Sequence, residues 1–144
     1  MPKVYIINTN TTNGNQHEQE MLDDKKCAAY YGPWKHYIDT IEANDIIFLY
    51  SNNKGIIARG VATGIVETKD YNGYSEEEHY MYLDRFEVLQ IPLKADKIKN
   101  LLTEATISKN GSSKEYKIQW NQTMILLSFA LGMVLWQEMT HKHI

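Results

Sequence analysis

The sequence predicts an α+β domain built around a curled sheet or small β-barrel flanked by short helices, and three observations carry that expectation. Lys3–Ile7 and Ile46–Tyr50 are apolar, β-branched or aromatic runs of strand length. The run from Ile56 to Val66 holds two internal glycines, Gly60 and Gly64, which mark a bulge or tight curvature. Short stretches of helix formers fall between these strands, giving the mixed element order of an α+β fold.

The elements follow in order. Asn8 to Asn15 holds only Asn, Thr and Gly and reads as a loop. Gln16 to Tyr30 reads as a short helix, with Met21, Leu22 and Cys27-Ala28-Ala29 as its apolar stripe. A Gly32-Pro33 turn then delivers Trp34, after which Tyr37, Ile38 and Ile41 recur at helical spacing. Ser51-Asn52-Asn53-Lys54-Gly55 has the composition of a hairpin turn between two strands. Thr68 to Glu78 reads as a polar loop holding Tyr71 and Tyr74. Tyr80 to Pro92 gives one or two strands, Lys94 to Leu102 a short amphipathic helix, and Ser108 to Lys114 a turn. Tyr116 to Trp120 alternates as a strand. Met124 to Trp136 is apolar save Ser128 and Gly132, too short for the roughly 20 residues of a membrane span, and reads as a buried helix or a pairing surface.

Bulk properties narrow the function. The chain has 144 residues, which fits one domain. Its net charge is −3, so any nucleic-acid binding rests on a local patch and on base contacts rather than on phosphate neutralisation alone. Cys27 is the single cysteine, which excludes an internal disulfide and multi-cysteine zinc patterns. No charged and apolar leader opens the sequence, so the cytoplasm is the expected compartment. Tyrosine supplies 10 of the aromatic residues, each with an apolar face and a polar tip suited to recognition.

Chemistry-bearing residues are sparse. His17, His36, His79, His141 and His143 are scattered, Glu76-Glu77-Glu78-His79 reads as a solvated charge run, and no ligands converge on it. No acid–base pair and no phosphate-binding glycine loop is visible. The expectation is a non-enzyme without metal or cofactor. Trp120 and Trp136, next to apolar neighbours, are expected in the core.

The strand Lys3–Ile7 running into Asn8-Thr9-Asn10, the Gly32-Pro33-Trp34 motif, and the strand–turn–strand Leu49–Ala62 resemble, in order and spacing, the YTH and EVE domains of the PUA-like superfamily. The likeness spans residues 3 to 120. It implies a PUA-like fold that takes a modified base, N6-methyladenine or a modified cytosine, into an aromatic cage after extruding it from the strand. Through the resemblance, Trp34 is the first wall, Asn8, Thr9 and Asn10 face the base edge, and Lys35 lies beside the methylated amine. Tyr71 and Tyr74 occupy the loop that supplies the family's second wall, although no tryptophan stands there. Lys54 and Arg59, on the hairpin, are the candidate phosphate contacts. The implied partner is single-stranded or locally opened DNA or RNA, with a second copy or a nuclease or motor subunit as further partners and no membrane. Two other readings compete. One is an interaction or dimerisation domain using exposed tyrosines and the Met124–Trp136 segment. The other is a nucleoside-modifying enzyme of the ASCH kind.

Overall fold

The computed structural model describes residues 2–11, 14–110 and 115–144, the side chains of 108–110 excepted. A strongly curled half-barrel sheet is flanked by helices. The strands are β1 (Val4–Asn8), β2 (Lys26–Tyr30), β3 (Ile46–Ser51), β4 (Gly55–Ala62), β5 (Glu67–Tyr71), β6 (Tyr74–Leu93) and β7 (Met124–Leu127). The helices are α1 (Gln16–Asp24), α2 (Ala95–Asn110) and α3 (Phe129–Lys142), with a 3₁₀ helix over Trp34–Thr40. Sheet order is β2-β6-β4-β3-β1-β7, and β5 pairs with the first half of β6 on the side away from β2.

The central strands explain their own sequences. β1 and β3 pair in parallel, from Val4 with Ile46 to Asn8 with Tyr50. Parallel strands are covered on both faces, which requires near-continuous apolar runs. Alternate side chains serve two cores. Tyr5, Ile7, Ile47 and Leu49 pack inside the curl with β2 and α1 residues, whereas Val4, Ile6, Phe48 and Tyr50 pack beneath α2 and α3. At about 1.5–3 kcal/mol for each fully buried large apolar side chain, these two layers dominate the stability of the fold.

Curvature comes from β6. Its first half pairs with β2 and β5, and its second half pairs with β4. The β4–β6 register shifts between Arg59 and Val61, where Arg85 on β6 adopts φ 52°. Gly60 faces this bulge, and a Cβ there would meet the Leu83 Cβ at 2.9 Å. Gly64 lies beyond the strand, with φ 81°.

Several elements differ from the sequence expectation. Cys27-Ala28-Ala29 belong to a strand, not a helix: Lys25 leaves the helix at φ 56°, and Cys27, Ala28 and Ala29 then pair with Met81, Tyr80 and His79. Alanine's helix propensity yields here to burial on both faces. The 68–78 loop is a hairpin of β5 and β6, turning at Asn72 and Gly73 with φ values of 52° and 81°. Residues 116–120 form no strand although their burial alternates. The Met124–Trp136 run divides at Ser128, whose Oγ accepts a hydrogen bond from the Leu131 amide at 3.3 Å, so a strand ends and α3 begins. This segment is part of the chain's own core, since Leu127, Gly132 and Leu135 are buried. α3 approaches β1 so closely that a Cβ on Gly132 would sit 2.3 Å from Val4 Cγ2. The turn expected over 108–114 begins inside α2, and 111–114 lie outside the described residues. Among the described residues, no helix is long and apolar enough to cross a membrane.

Candidate functional site

Where the curl opens, two sets of elements face across a cleft of about 820 Å³. One set is α1, β2 and the start of the 3₁₀ helix, contributing Met21, Ala28, Ala29, Tyr30, Tyr31 and Trp34. The other is the end of β1 with the β3–β4 turn and the segment before β7. It contributes Asn8, Asn10, Tyr50, Asn52, Asn53 and Trp120 to Thr123. Among the described residues, the lining therefore combines five aromatic rings with six side-chain amides and carries no charged group. Its volume suits a planar organic ligand, for which pockets run about 300–1,000 Å³.

The Gly32–Pro33 peptide, which is cis, turns the chain out of β2 into the 3₁₀ helix. Ile38 and Ile41 anchor that helix in the inner core, and the Lys35 amide donates to the Tyr31 carbonyl at 2.8 Å. Trp34 is left 49% exposed, at the cleft rather than beneath the turn. Among the described residues its indole stacks on no other ring.

The remaining expected residues divide. Asn8 lines the cleft, but its amide is already committed. It donates to Asn52 Oδ1 at 3.1 Å and to the Trp120 carbonyl at 2.8 Å, and it accepts from the Asn10 amide at 2.7 Å. Asn8 thus ties three rim segments together. Asn10 is exposed, holds φ 57°, and borders both the cleft and a neighbouring hollow of about 200 Å³. Thr9 is fully buried, its hydroxyl bonded to Glu18 Oε1 at 2.7 Å and to the Tyr50 carbonyl at 3.2 Å, so it anchors α1 rather than facing a ligand. Lys35 reaches away to Glu77 at 3.2 Å and to the Glu76 carbonyl. Tyr74 is 63% exposed and borders neither cavity.

Tyr71 lies in the smaller hollow with Tyr31, His17 and Asn72. Its hydroxyl is 2.5 Å from His17 Nε2, and the His17 ring stacks on Tyr30 at 3.7 Å. Burial lowers the His17 pKa, which keeps the imidazole neutral near pH 7. Burial first, then the Glu78 and Glu20 charges, raise the Tyr30 pKa, and burial likewise raises that of Tyr71. These rings therefore present uncharged polar edges.

The two phosphate candidates also separate. Lys54 is 62% exposed beside Asn53, with Glu18 Oε2 at 3.8 Å. Arg59 is buried under α3, so the expectation of a phosphate contact is corrected. Its guanidinium bonds Glu87 at 2.9 Å, the Trp136 carbonyl at 3.0 Å and Thr140 at 2.8 Å, and it lies 3.9 Å over the Trp136 ring.

Two features were not anticipated. Trp120 packs against the outer core as expected, but it also lines the cleft and stacks nearly parallel on Tyr50, with centroids 4.1 Å apart. That pair forms a wall opposite Trp34 that Tyr71 and Tyr74 do not provide. The only sequence cue was an aromatic residue followed by the turn-forming Asn121. The histidines are not all scattered either, since His36 and His79 converge on Asp39.

No family model and no curated protein matches the chain. Among the solved structures similar in fold, two illustrate the likeness. One is the NMR structure of Rpa0253 from Rhodopseudomonas palustris, 11% identical over 97% of this chain and 94% of that one, with a TM-score of 0.57. The other is a hypothetical protein from Leishmania major, 6% identical over 99% and 97%, with a TM-score of 0.59.

Proposed function

We propose that the cleft is a reader's pocket, in which a modified base from a locally single-stranded nucleic acid stacks on Trp34, and that the curled sheet is of the PUA-like, YTH or EVE type. The observation that carries this reading is a half-exposed indole at the edge of a neutral cleft walled by rings and amides. Stacking of a base on an aromatic side chain contributes about 1–3 kcal/mol. An amide such as Asn10 donates and accepts together, which matches a purine edge. Each methyl group buried adds about 0.8 kcal/mol, so the modified base is preferred by roughly fourfold per methyl.

The electrostatics favour base over backbone as the recognised part. With Arg59 internal, Lys54 is the remaining rim cation of the two candidates. Log affinity should fall against log salt with a slope near −0.7 per phosphate contact for a single strand, far shallower than for a basic duplex binder.

The test is a fluorescence titration with short single-stranded DNA and RNA, each carrying N6-methyladenine, a modified cytosine or the unmodified base. Tighter binding of one modified oligonucleotide, lost in Trp34→Ala without change in thermal melting, supports the reading. Equal affinity for every oligonucleotide, or an unchanged titration with Trp34→Ala, removes it.

A further inference from the structure

The 3₁₀ helix that carries Trp34 also carries His36 and Asp39. A 3₁₀ helix has three residues per turn, so positions i and i+3 project from the same side. His36 Nδ1 is 3.1 Å from Asp39 Oδ2. His79 arrives from β6, where its backbone pairs with Ala29 of β2 on one side and Thr68 of β5 on the other. Its Nδ1 is 2.7 Å from Asp39 Oδ1, and the two imidazole rings meet edge to face with centroids 5.0 Å apart. One nitrogen from each histidine and one Asp39 oxygen lie within 4.8 Å of one another.

We propose that His36, Asp39 and His79 form a binding site for a divalent transition-metal ion of the Zn²⁺ kind, held through both Nδ1 atoms and an Asp39 oxygen. Two imidazoles and a carboxylate are a donor set that Zn²⁺ uses and that hard ions such as Ca²⁺ or Mg²⁺ do not favour. Bonds of about 2.0–2.1 Å in a tetrahedron place neighbouring donors roughly 3.3 Å apart, which small side-chain rotations reach from the 2.7 and 3.1 Å histidine contacts to the two Asp39 oxygens and the 4.8 Å span of the set. The scaffold is prepared: His79 is nearly buried on a strand paired on both sides, and Ile38 between His36 and Asp39 is sunk in the core. His36 is 60% exposed, which leaves an entry path and room for a fourth, solvent-derived ligand. A bound ion fastens the Trp34 helix to β6 and fixes one wall of the cleft. This site stands independently of what the cleft binds.

The experiment is calorimetric titration of the metal-free protein with ZnCl₂, repeated with Co²⁺ to read the optical bands of a tetrahedral centre. One equivalent should bind, with a rise in melting temperature. Loss of even an outer-shell partner weakens a metal site about 10–100-fold, so His36→Ala and Asp39→Asn should each weaken binding at least tenfold. His36 and Asp39 are exposed, so both variants should fold, and a matching circular dichroism spectrum verifies it. His141→Ala, on α3, should leave the titration unchanged. Absence of stoichiometric binding to the intact chain overturns the proposal, as does binding that survives both His36→Ala and Asp39→Asn. The cluster would then be a hydrogen-bonded clamp only.

Discussion

The face of the sheet beneath α2 and α3 and the cleft at the open end of the curl use the same residue types to opposite ends. Under α3, Trp136 is covered by Arg59, and the Arg59 guanidinium is itself held by Glu87, Thr140 and a carbonyl. At the cleft, Trp34 has open space beside it, and the exposed Asn10 borders two hollows. Secondary structure makes the difference. Two helices cover the outer face and hold Arg59 and Trp136 in a closed set of contacts, whereas much of the cleft is lined by turns and element ends, whose side chains project past the sheet. A tryptophan within an apolar α-helix closes a core, and a tryptophan at the first position of a short 3₁₀ helix is left beside open space.

That contrast predicts that damage on the covered side and in the deep supports costs stability, while damage at the rim costs binding. The largest effect belongs to Lys26, fully buried on β2 with Nζ 2.8 Å from Glu78, itself 0% exposed. Among the described residues, Lys26→Met leaves that carboxylate with Lys69, at 3.7 Å, as its one nearby cation. Breaking a buried pair from one side costs about 3–5 kcal/mol, readable as a lower midpoint in urea. Adding Glu78→Leu should restore most of the loss, because the intact pair contributes little net stability. A double variant no better than the single would show that Lys26 acts through packing instead.

Arg59→Ala comes next. It removes charged hydrogen bonds and a desolvated ring contact, for about 2–3 kcal/mol of stability, with oligonucleotide affinity unchanged. Weaker ligand binding at unaltered stability would return Arg59 to the site and erase the distinction between the faces. Trp34→Ala is the mirror experiment. Unfolding should shift by no more than about 0.5 kcal/mol, as at other exposed positions. Binding of the preferred oligonucleotide should fall roughly 5- to 150-fold, the equivalent of one lost stack. A variant that melts far below the parent would make the indole a structural cap.

Physical range in the sequence decides what could be read from it. β1, β3 and their hairpin partner were legible because β-branched runs bounded by Asn and Gly carry their signal locally. The Gly-Pro turn before Trp34 is compatible with a buried cap as well as an exposed ring, and only the resemblance around Gly32-Pro33-Trp34 favours exposure. β2 was not, because Cys27-Ala28-Ala29 have no strand propensity and owe their conformation to pairing with β6. Asn72-Gly73 is a strong local hairpin signal, set in a polar run whose composition otherwise reads as a loop. Arg59 misled because its burial is imposed by α3, more than seventy residues later in the chain. The meeting of His36 and Asp39 with His79 is likewise a product of the 3₁₀ helix packing beside β6. Neither the charge run around His79 nor the motif around Trp34 announces it.

The smallest predicted effect sharpens the contrast within the cleft region itself, between its open rim and the packed rings behind it. Burial sets the His17 pKa below the ordinary 6.5, outweighing the Glu20 and Glu78 charges, which favour the imidazolium. The folded chain therefore resists a proton that the unfolded chain accepts. His17 then costs nothing above about pH 6.5, and stability declines as pH falls from there through the folded value, levelling off below it. Melting temperatures taken between about pH 7.5 and 5.5 should fall more steeply for the parent than for His17→Gln, which cannot titrate. Asp39 does not confuse the comparison: burial alone would raise its carboxyl, but hydrogen bonds from His79 and His36 prevail and hold it below 3.8, outside that window. Parallel slopes in the two proteins would mean that His17 is as solvated as the rim, and that the rings behind the cleft are no more closed than Trp34.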